Sequence, residues 1–433
     1  MARELNTCQR ITLQEYGDYV NLDVSRAEVN EILKQGDSWK SSLKLRQTPF
    51  VVRQDTAGVY QLRVEGIAGM VRIGNIDFEI APKFLNAGEA DWQIAFWKIL
   101  SIAIGGIIDD HQLKASSSSN QALVDLFAQS FMKSFARGSL RGLPQGYTTV
   151  QNSSPTPQGS FDLSQIEQFV SRPWIYPGLV DTLTMDTPFA SLIRWAANRL
   201  GAMVDSSSMA RNMRFISGTL SYVKTPVPHI VDARRIKLSA QYRGLEDSLK
   251  IALMLLEGSG MSYSPGERTL SGFLWNSDVV FENFMFRVCS QCAKKHRFKT
   301  SKQPYLFGEV VFGSGQKLRT IPDVVFKDSS DKVIAIADAK YKTYNGHPVN
   351  SDVYQVLSDA HILGAQKVSL LYPVKESTSR KTWLIESKLG AEPVYLTMLP
   401  INLMTIARKD GFDELISCIS EWLIWDTEKA GHD

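Results

Sequence analysis

The stretch L-R-T-I-P-D-V-V-F-K-D-S-S-D-K-V-I-A-I-A-D-A-K-Y-K, Leu318 to Lys342, decides how the rest of the chain is read. Two apolar runs flank a polar cluster, Lys327 to Lys332, which is the pattern of a β-hairpin. Side chains alternate along a strand, so Ile334, Ile336, Asp338 and Lys340 share one face, and Val333, Ala335, Ala337 and Ala339 share the other. A carboxylate and an ammonium thus follow two apolar residues on one face, which fits poorly with a wholly solvated hairpin. If the hairpin is symmetric about Ser330 and Asp331, Asp323 lies opposite Asp338, with Cβ atoms roughly 5 Å apart. Two carboxylates that close can share a metal ion and resist ionising together without one. An odd loop or a bulge would break this register.

Outward from the hairpin, Ser277 is a plausible helix cap with Asp278 in the first turn, and the helix then reads V-V-F-E-N-F-M-F-R-V, Val279 to Val288. Glu282 has Val279, Met285 and Phe286 among its helical neighbours, so the pattern predicts a carboxylate ringed by apolar side chains that needs a partner or a metal. The alternative is a Glu paired with Arg287 or another base at the helix edge. After the hairpin, Ser351-Asp352 predicts the cap of a helix running to Leu363, with Gly364 as its stop, and Lys367 to Tyr372 predicts a strand. Helix, hairpin, helix, strand makes an α/β core with one crossover. Tyr354 and Gln355 stand near the start of the second helix, where polar groups orient a nucleic-acid backbone or a water, or are simply solvated.

The remainder of the 433 residues sets the frame. Hydrophobic content of 44% and charged content of 21% are ordinary for a globular chain of two or three domains. A net charge of +3 requires any DNA-binding surface to be local. The longest apolar run, Ile99 to Ile108, falls short of the roughly 20 residues of a membrane span. The N-terminus lacks the apolar core of a signal peptide, and four cysteines make no disulfide framework, so the expected location is cytoplasmic with no membrane partner. Cys289-x-x-Cys292 with His296 lacks further ligands nearby and reads as buried small residues rather than a zinc site.

Residues 1–90 read as a β-rich N-terminal domain that contacts DNA or a partner. Tyr60, Leu62 and Val64 alternate with polar residues, as do Ile76, Phe78 and Ile80. Gly74-Asn75 is a hairpin turn signal, and Pro82-Lys83 ends the strand. Residues 91–265 read as a mainly helical middle region, from the stripe Trp92, Phe96, Ile99 and Ala103 through a segment around Leu123 to Phe135, separated from it by the Ser116 to Ser119 run. Gly138 to Gly159 reads as a loop or linker, and Phe189 to Leu200 and Leu245 to Leu256 as helices. Residues 266–433 hold the α/β core with a mixed sheet. The fold class expected is multidomain α+β.

Pro322-Asp323 followed by Asp338-Ala339-Lys340 resembles the signature of the PD-(D/E)xK nuclease superfamily. With S-G-F-L-W-N-S-D-V-V-F-E-N-F (Ser271 to Phe284), L-R-T-I-P-D-V-V-F (Leu318 to Phe326), I-A-D-A-K-Y-K (Ile336 to Lys342) and D-V-Y-Q-V-L (Asp352 to Leu357), the chain resembles the McrC family, nuclease subunits of modification-dependent restriction systems. Upstream, I-D-F-E-I-A-P-K (Ile76 to Lys83) and M-D-T-P-F-A-S-L-I (Met185 to Ile193) extend the resemblance. Where members often carry an Arg-Gly-Arg-like element, this chain has Gln158-Gly159-Ser160.

The resemblance implies metal-assisted phosphodiester hydrolysis. Asp323, Asp338 and the Ala339 carbonyl would hold Mg2+, with Mn2+ able to substitute, and Glu282 would bind directly or through water. Lys340 would orient or deprotonate the attacking water. The partners implied are methylated double-stranded DNA and a McrB-like AAA+ GTPase, whose activity the chain would stimulate. Gly313-Ser-Gly-Gln-Lys317 lacks Walker A spacing and precedes a strand, so the motor is another polypeptide. The alternatives are an autonomous nuclease of the same superfamily and a non-catalytic activator of a partner NTPase.

Overall fold

The computed structural model describes residues 9–73, 76–89, 91–105, 122–259, 271–309, 317–344, 346–376, 378–386 and 392–425. They divide into two compact units, one combining Met1–Leu126 with Glu257–Asp433 and the other formed by Phe127–Leu256. This differs from three consecutive parts at 1–90, 91–265 and 266–433. The reason is a strand pairing: Ser271–Asn276 runs antiparallel to Ile67–Ile73 over six residue pairs. Leu274, fully buried, thereby joins the cluster of Leu13, Ile32, Trp39, Phe50, Leu62 and Ile80.

In the first unit a four-stranded sheet is ordered Gln9–Gln14, Ile76–Ala81, Ile67–Ile73, Ser271–Asn276. A three-stranded sheet places Tyr60–Val64 between Val20–Leu22 and Phe50–Gln54. The β pattern of the N-terminal residues holds, but the helix Arg26–Ser42 interrupts it. Ser25 and Glu28 form its capping box, and Val29, Ile32, Gly36 and Trp39 bury one face at helical spacing. The Gly74-Asn75 turn and the Ser116 to Ser119 run lie outside the described residues, although the strands flanking the former do pair Ile73 with Ile76. The stripe beginning at Trp92 forms the helix Trp92–Leu100, which widens into a π-helical turn, Ser101–Gly105.

The other large sheet of this unit has six strands, in the order Lys299–Ser301, Val324–Lys327, Val333–Ala339, Lys367–Val374, Val394–Asn402, Lys381–Ile385. It is mixed, as expected: the hairpin Val324–Lys327 and Val333–Ala339 is antiparallel, and Val333–Ala339 then pairs parallel with Lys367–Val374. The helix Asn350–Leu363 makes that crossover and ends at Gly364, whose φ of 68° is the left-handed stop that glycine favours. Two caps differ from expectation. Asn276, not Ser277, accepts the free N–H groups of the helix Ser277–Lys295, and the second helix starts at Asn350, which leaves Asp352 buried in its first turn.

The second unit carries the helices Pro188–Met203, Ser207–Thr219 and most of Glu246–Gly258. It is not purely helical. Gly146–Ser154 pairs antiparallel with Tyr176–Thr184 over nine positions, and Ser160–Phe161 flanks the other side. The linker reading of Gly138 to Gly159 is thus overturned: G-Y-T-T-V-Q-N-S-S is mostly solvated on both faces, so the strand lacks the apolar alternation that marks strands in sequence. Among the described residues no helix is long and apolar enough to cross a membrane.

Candidate active site

The hairpin turn sets the geometry. Asp328 accepts the N–H groups of Ser330 and Lys332 with one carboxylate oxygen, and Asp331 takes a φ of 65°. A bulge between Phe326 and Lys327 absorbs the odd residue beside the turn. Beyond it the symmetric register survives: Phe326 faces Ala335, Val325 faces Ile336, and Val324 faces Ala337. Asp323 precedes the strand and reaches over its partner, accepting the Ala339 N–H at 2.8 Å on Oδ2.

Asp338 is 2% exposed, with its Oδ2 2.6 Å from Lys340 Nζ. Lys340 also donates to Gln355 Oε1 at 2.8 Å and stands 3.9 Å from Asp352 Oδ1. Gln355 Nε2 in turn lies 3.5 Å from Asp338 Oδ1. Asp323, Asp338, Ala339, Lys340 and Gln355 are therefore brought together. Tyr354 is not: it is 69% exposed, one helical step from Gln355, and makes no hydrogen bond to this group.

Glu282 departs from the apolar setting expected for it. Its side chain is about one-third exposed and ion-pairs with Lys302, the helix-edge arrangement with a base other than Arg287. It remains electrostatically close to Asp323, whose carboxyl is pushed up to about 7 by burial first, then by the Asp338 and Glu282 charges. Burial also raises Asp338, against the opposing effect of Lys340. Among the described residues no three His, Cys, Asp or Glu side chains converge as a ready-made metal cage. The donor set nevertheless suits a hard cation: a half-buried and a buried carboxylate, both raised by burial and by neighbouring acids, gain most from an added positive charge.

Sequence reading missed several groups. Asp352, 3% exposed, takes Lys342 Nζ at 2.7 and 3.0 Å and the Tyr372 hydroxyl at 3.3 Å. Lys342 stands two residues from Lys340, on the same face, which is a local signal; nothing local announces Tyr372. Cys289 and Cys292 are fully buried, as expected, and Cys292 Sγ sits 3.3 Å from Ser420 Oγ. The Gly313 to Gln316 segment lies outside the described residues.

A protein-family model described as "McrBC 5-methylcytosine restriction system component" matches residues 62–373. The chain belongs to the McrBC family. The McrBC match runs from the strand Tyr60–Val64 to the strand Lys367–Val374, so it includes the paired strands Ile67–Ile73, Ile76–Ala81 and Ser271–Asn276 as well as every residue of the site. No curated protein matches the chain. Among solved structures it is similar to a chain of the half-complex from a tetradecameric assembly of Thermococcus gammatolerans McrB AAA+ hexamers with bound McrC. The TM-score is 0.62 at 16% identity, covering 95% of this chain and 100% of that one. A second match, to the cryo-EM structure of the Thermococcus gammatolerans McrBC complex, has a TM-score of 0.46 at 18% identity and covers 66% of this chain and 88% of the other. At 16% identity the first likeness is one of fold.

Proposed function

We propose that this McrBC-family chain is the DNA-cutting subunit of its restriction system, a metal-dependent endodeoxyribonuclease with a PD-(D/E)xK core. The observation that carries the reading is the placing of Asp323, which accepts the Ala339 N–H, beside the strand end that carries Asp338, with the Lys340 ammonium held between Asp338 and Gln355. Asp323, Asp338 and the Ala339 carbonyl would hold Mg2+ or Mn2+, joined by Glu282 on release from Lys302. When bound, the ion supplies charge stabilisation on the phosphate and a more acidic water. Lys340 adds a fixed positive charge where negative charge develops, and Gln355 orients it. Asp352 ion-pairs with Lys342 and stands 3.9 Å from Lys340, so it holds both ammonium groups beside the strand end.

The substrate proposed is methylated double-stranded DNA of foreign origin, and the partner a McrB-like AAA+ GTPase. The family description supports the first, and the neighbouring fold found with McrB AAA+ hexamers supports the second. The sequence itself has no G-x-x-x-x-G-K-[ST] phosphate loop with which to drive translocation. The contact surface proposed lies upstream of Pro265, where the second unit exposes Tyr147 and Leu183, directly opposed across two strands, together with Val170 and Trp174.

The test is cleavage of methylated DNA by the purified chain with Mg2+, with and without the AAA+ partner and GTP. Cleavage should require the partner, and Asp338→Asn should abolish it while the thermal midpoint stays near wild type. Full cleavage by Asp338→Asn would remove the site assignment. Efficient cutting without a partner would favour the autonomous nuclease.

A further inference from the structure

The strand that carries Asp338 has a second side. Lys340 and Lys342 both reach Asp352, whereas Tyr341 between them turns the other way and is 8% exposed. Its hydroxyl donates to Glu15 Oε2 at 2.7 Å. Its carbonyl accepts Lys83 Nζ at 2.7 Å, across 258 residues of sequence, and the same ammonium stands 4.3 Å from the centroid of the Tyr341 ring. The Lys83 N–H donates to Glu15 Oε2 at 2.9 Å, closing the group. Phe84 packs edge-on against the ring at 5.2 Å, and Phe281, the neighbour of Glu282, lies 5.6 Å away.

The strand Val333–Ala339 ends before Lys340, whose N–H makes a last ladder bond to the Leu371 carbonyl at 2.9 Å. A chain end leaving a sheet frays unless it is tied. Here the ties fall on Tyr341, one residue past the ammonium that meets Asp338. Packing alone could be supplied by an aliphatic side chain. Instead the cluster buries a Glu and half-buries a Lys, each driven by burial toward its neutral form, Glu15 up to about 7 and Lys83 downward. Buried charged groups that cost stability can be retained because they specify a geometry.

The geometry points to Lys83 as a positioning residue for the site: with Glu15 and Tyr341 it fixes the backbone between Lys340 and Lys342, and so the place from which Lys340 meets Asp338 and Gln355. This rests on the nuclease reading above. Lys83 acts on the site through the Tyr341 carbonyl. A displacement of about 1 Å in a catalytic group costs on the order of 100-fold in rate, so a partial loosening should cost about tenfold.

The experiment measures the single-turnover cleavage rate and the half-saturating DNA concentration for the full chain under conditions where wild type cuts. Lys83→Met should slow the rate about tenfold, with half-saturation within about twofold of wild type. Lys83→Arg, which still donates to the Tyr341 carbonyl, should return the rate to within about threefold of wild type. A wild-type rate for Lys83→Met, or a Lys83→Arg as slow as Lys83→Met, overturns the inference. If Lys83→Met does not fold, Tyr341→Phe decides: it frees the hydroxyl tie alone and should slow cleavage about threefold without moving half-saturation, and a wild-type rate overturns the inference. Asp338→Asn runs alongside. Should it cut, or wild type not cut, the nuclease reading itself fails, and that result is distinct from failure of Lys83 alone.

Discussion

Glu15 shows at the scale of one residue how this chain trades stability for order. It is 1% exposed, and burial raises its carboxyl from 4.5 to about 7 even though Lys83 and Tyr341 both oppose the rise. A raised carboxyl pKa means that the folded state holds its proton more tightly than the unfolded chain. Its contribution to stability is therefore complete below about pH 4.5 and is lost as pH climbs through about 7, a difference on the order of 3 kcal/mol. Gln at this position cannot ionise. Glu15→Gln should gain on wild type in thermal midpoint between pH 5 and pH 8, and differential scanning calorimetry across that range reads the gap directly. A gap that stays constant with pH would mean that Glu15 does not titrate in the fold. The acids of the site were legible in sequence because Asp323, Asp338 and Lys340 belong to one hairpin, where alternation and register fix neighbours locally. Glu15, Lys83 and Tyr341 were not, because hydrogen bonds spanning 258 and 326 residues leave no periodic trace. Glu282 was only half legible: its helix was plain, but Lys302, which draws it toward the helix edge, lies on a different segment.

At the scale of elements, the pairing of Ile67–Ile73 with Ser271–Asn276 depends on Gly69. Its φ is 138°, and a Cβ built there would stand 2.1 Å from the Phe273 carbonyl oxygen. Any side chain must push apart two backbones, since the clashing atom belongs to the main chain and cannot swing away. Gly69→Ala should destabilise the chain by about 3 kcal/mol or more, placing it among the severe substitutions. The control is Gly142→Ala, which also has a positive φ, 88°, but meets nothing within 4 Å and should cost only about 1 kcal/mol. Equal midpoints for the two variants in urea would show that strand contact at Gly69 is not what matters. Elements with strong apolar periodicity, such as Trp92–Leu100 and Pro188–Met203, were readable. Gly146–Ser154 was not, because a strand wet on both faces offers no alternation to read. The helix Arg26–Ser42 carried a readable capping box, Ser25 to Glu28, but lies among strands whose alternation dominates the segment.

At the scale of the whole molecule, the first unit is assembled from the two ends of the sequence. Leu274 contributes a fully buried side chain to a core otherwise built from residues 13–80, and Lys83 ties that same segment to Tyr341. An N-terminal domain that could be removed while leaving the C-terminal core folded is incompatible with this arrangement. Deleting Met1 to Asn86 strips the partner from the strand Ser271–Asn276, uncovers its buried Leu274, and frees the edge that Ile67–Ile73 had covered. An uncovered apolar edge strand pairs with other chains. The truncated protein should therefore lose its cooperative unfolding transition and aggregate, and DNA cleavage and partner NTPase stimulation should disappear together, for want of a fold rather than of a contact. Circular dichroism melts and size-exclusion chromatography of the truncated chain test this before any activity is measured. A soluble monomer with a cooperative melt near the wild-type midpoint would show that the C-terminal core stands alone, and a separable N-terminal domain would then be the right description.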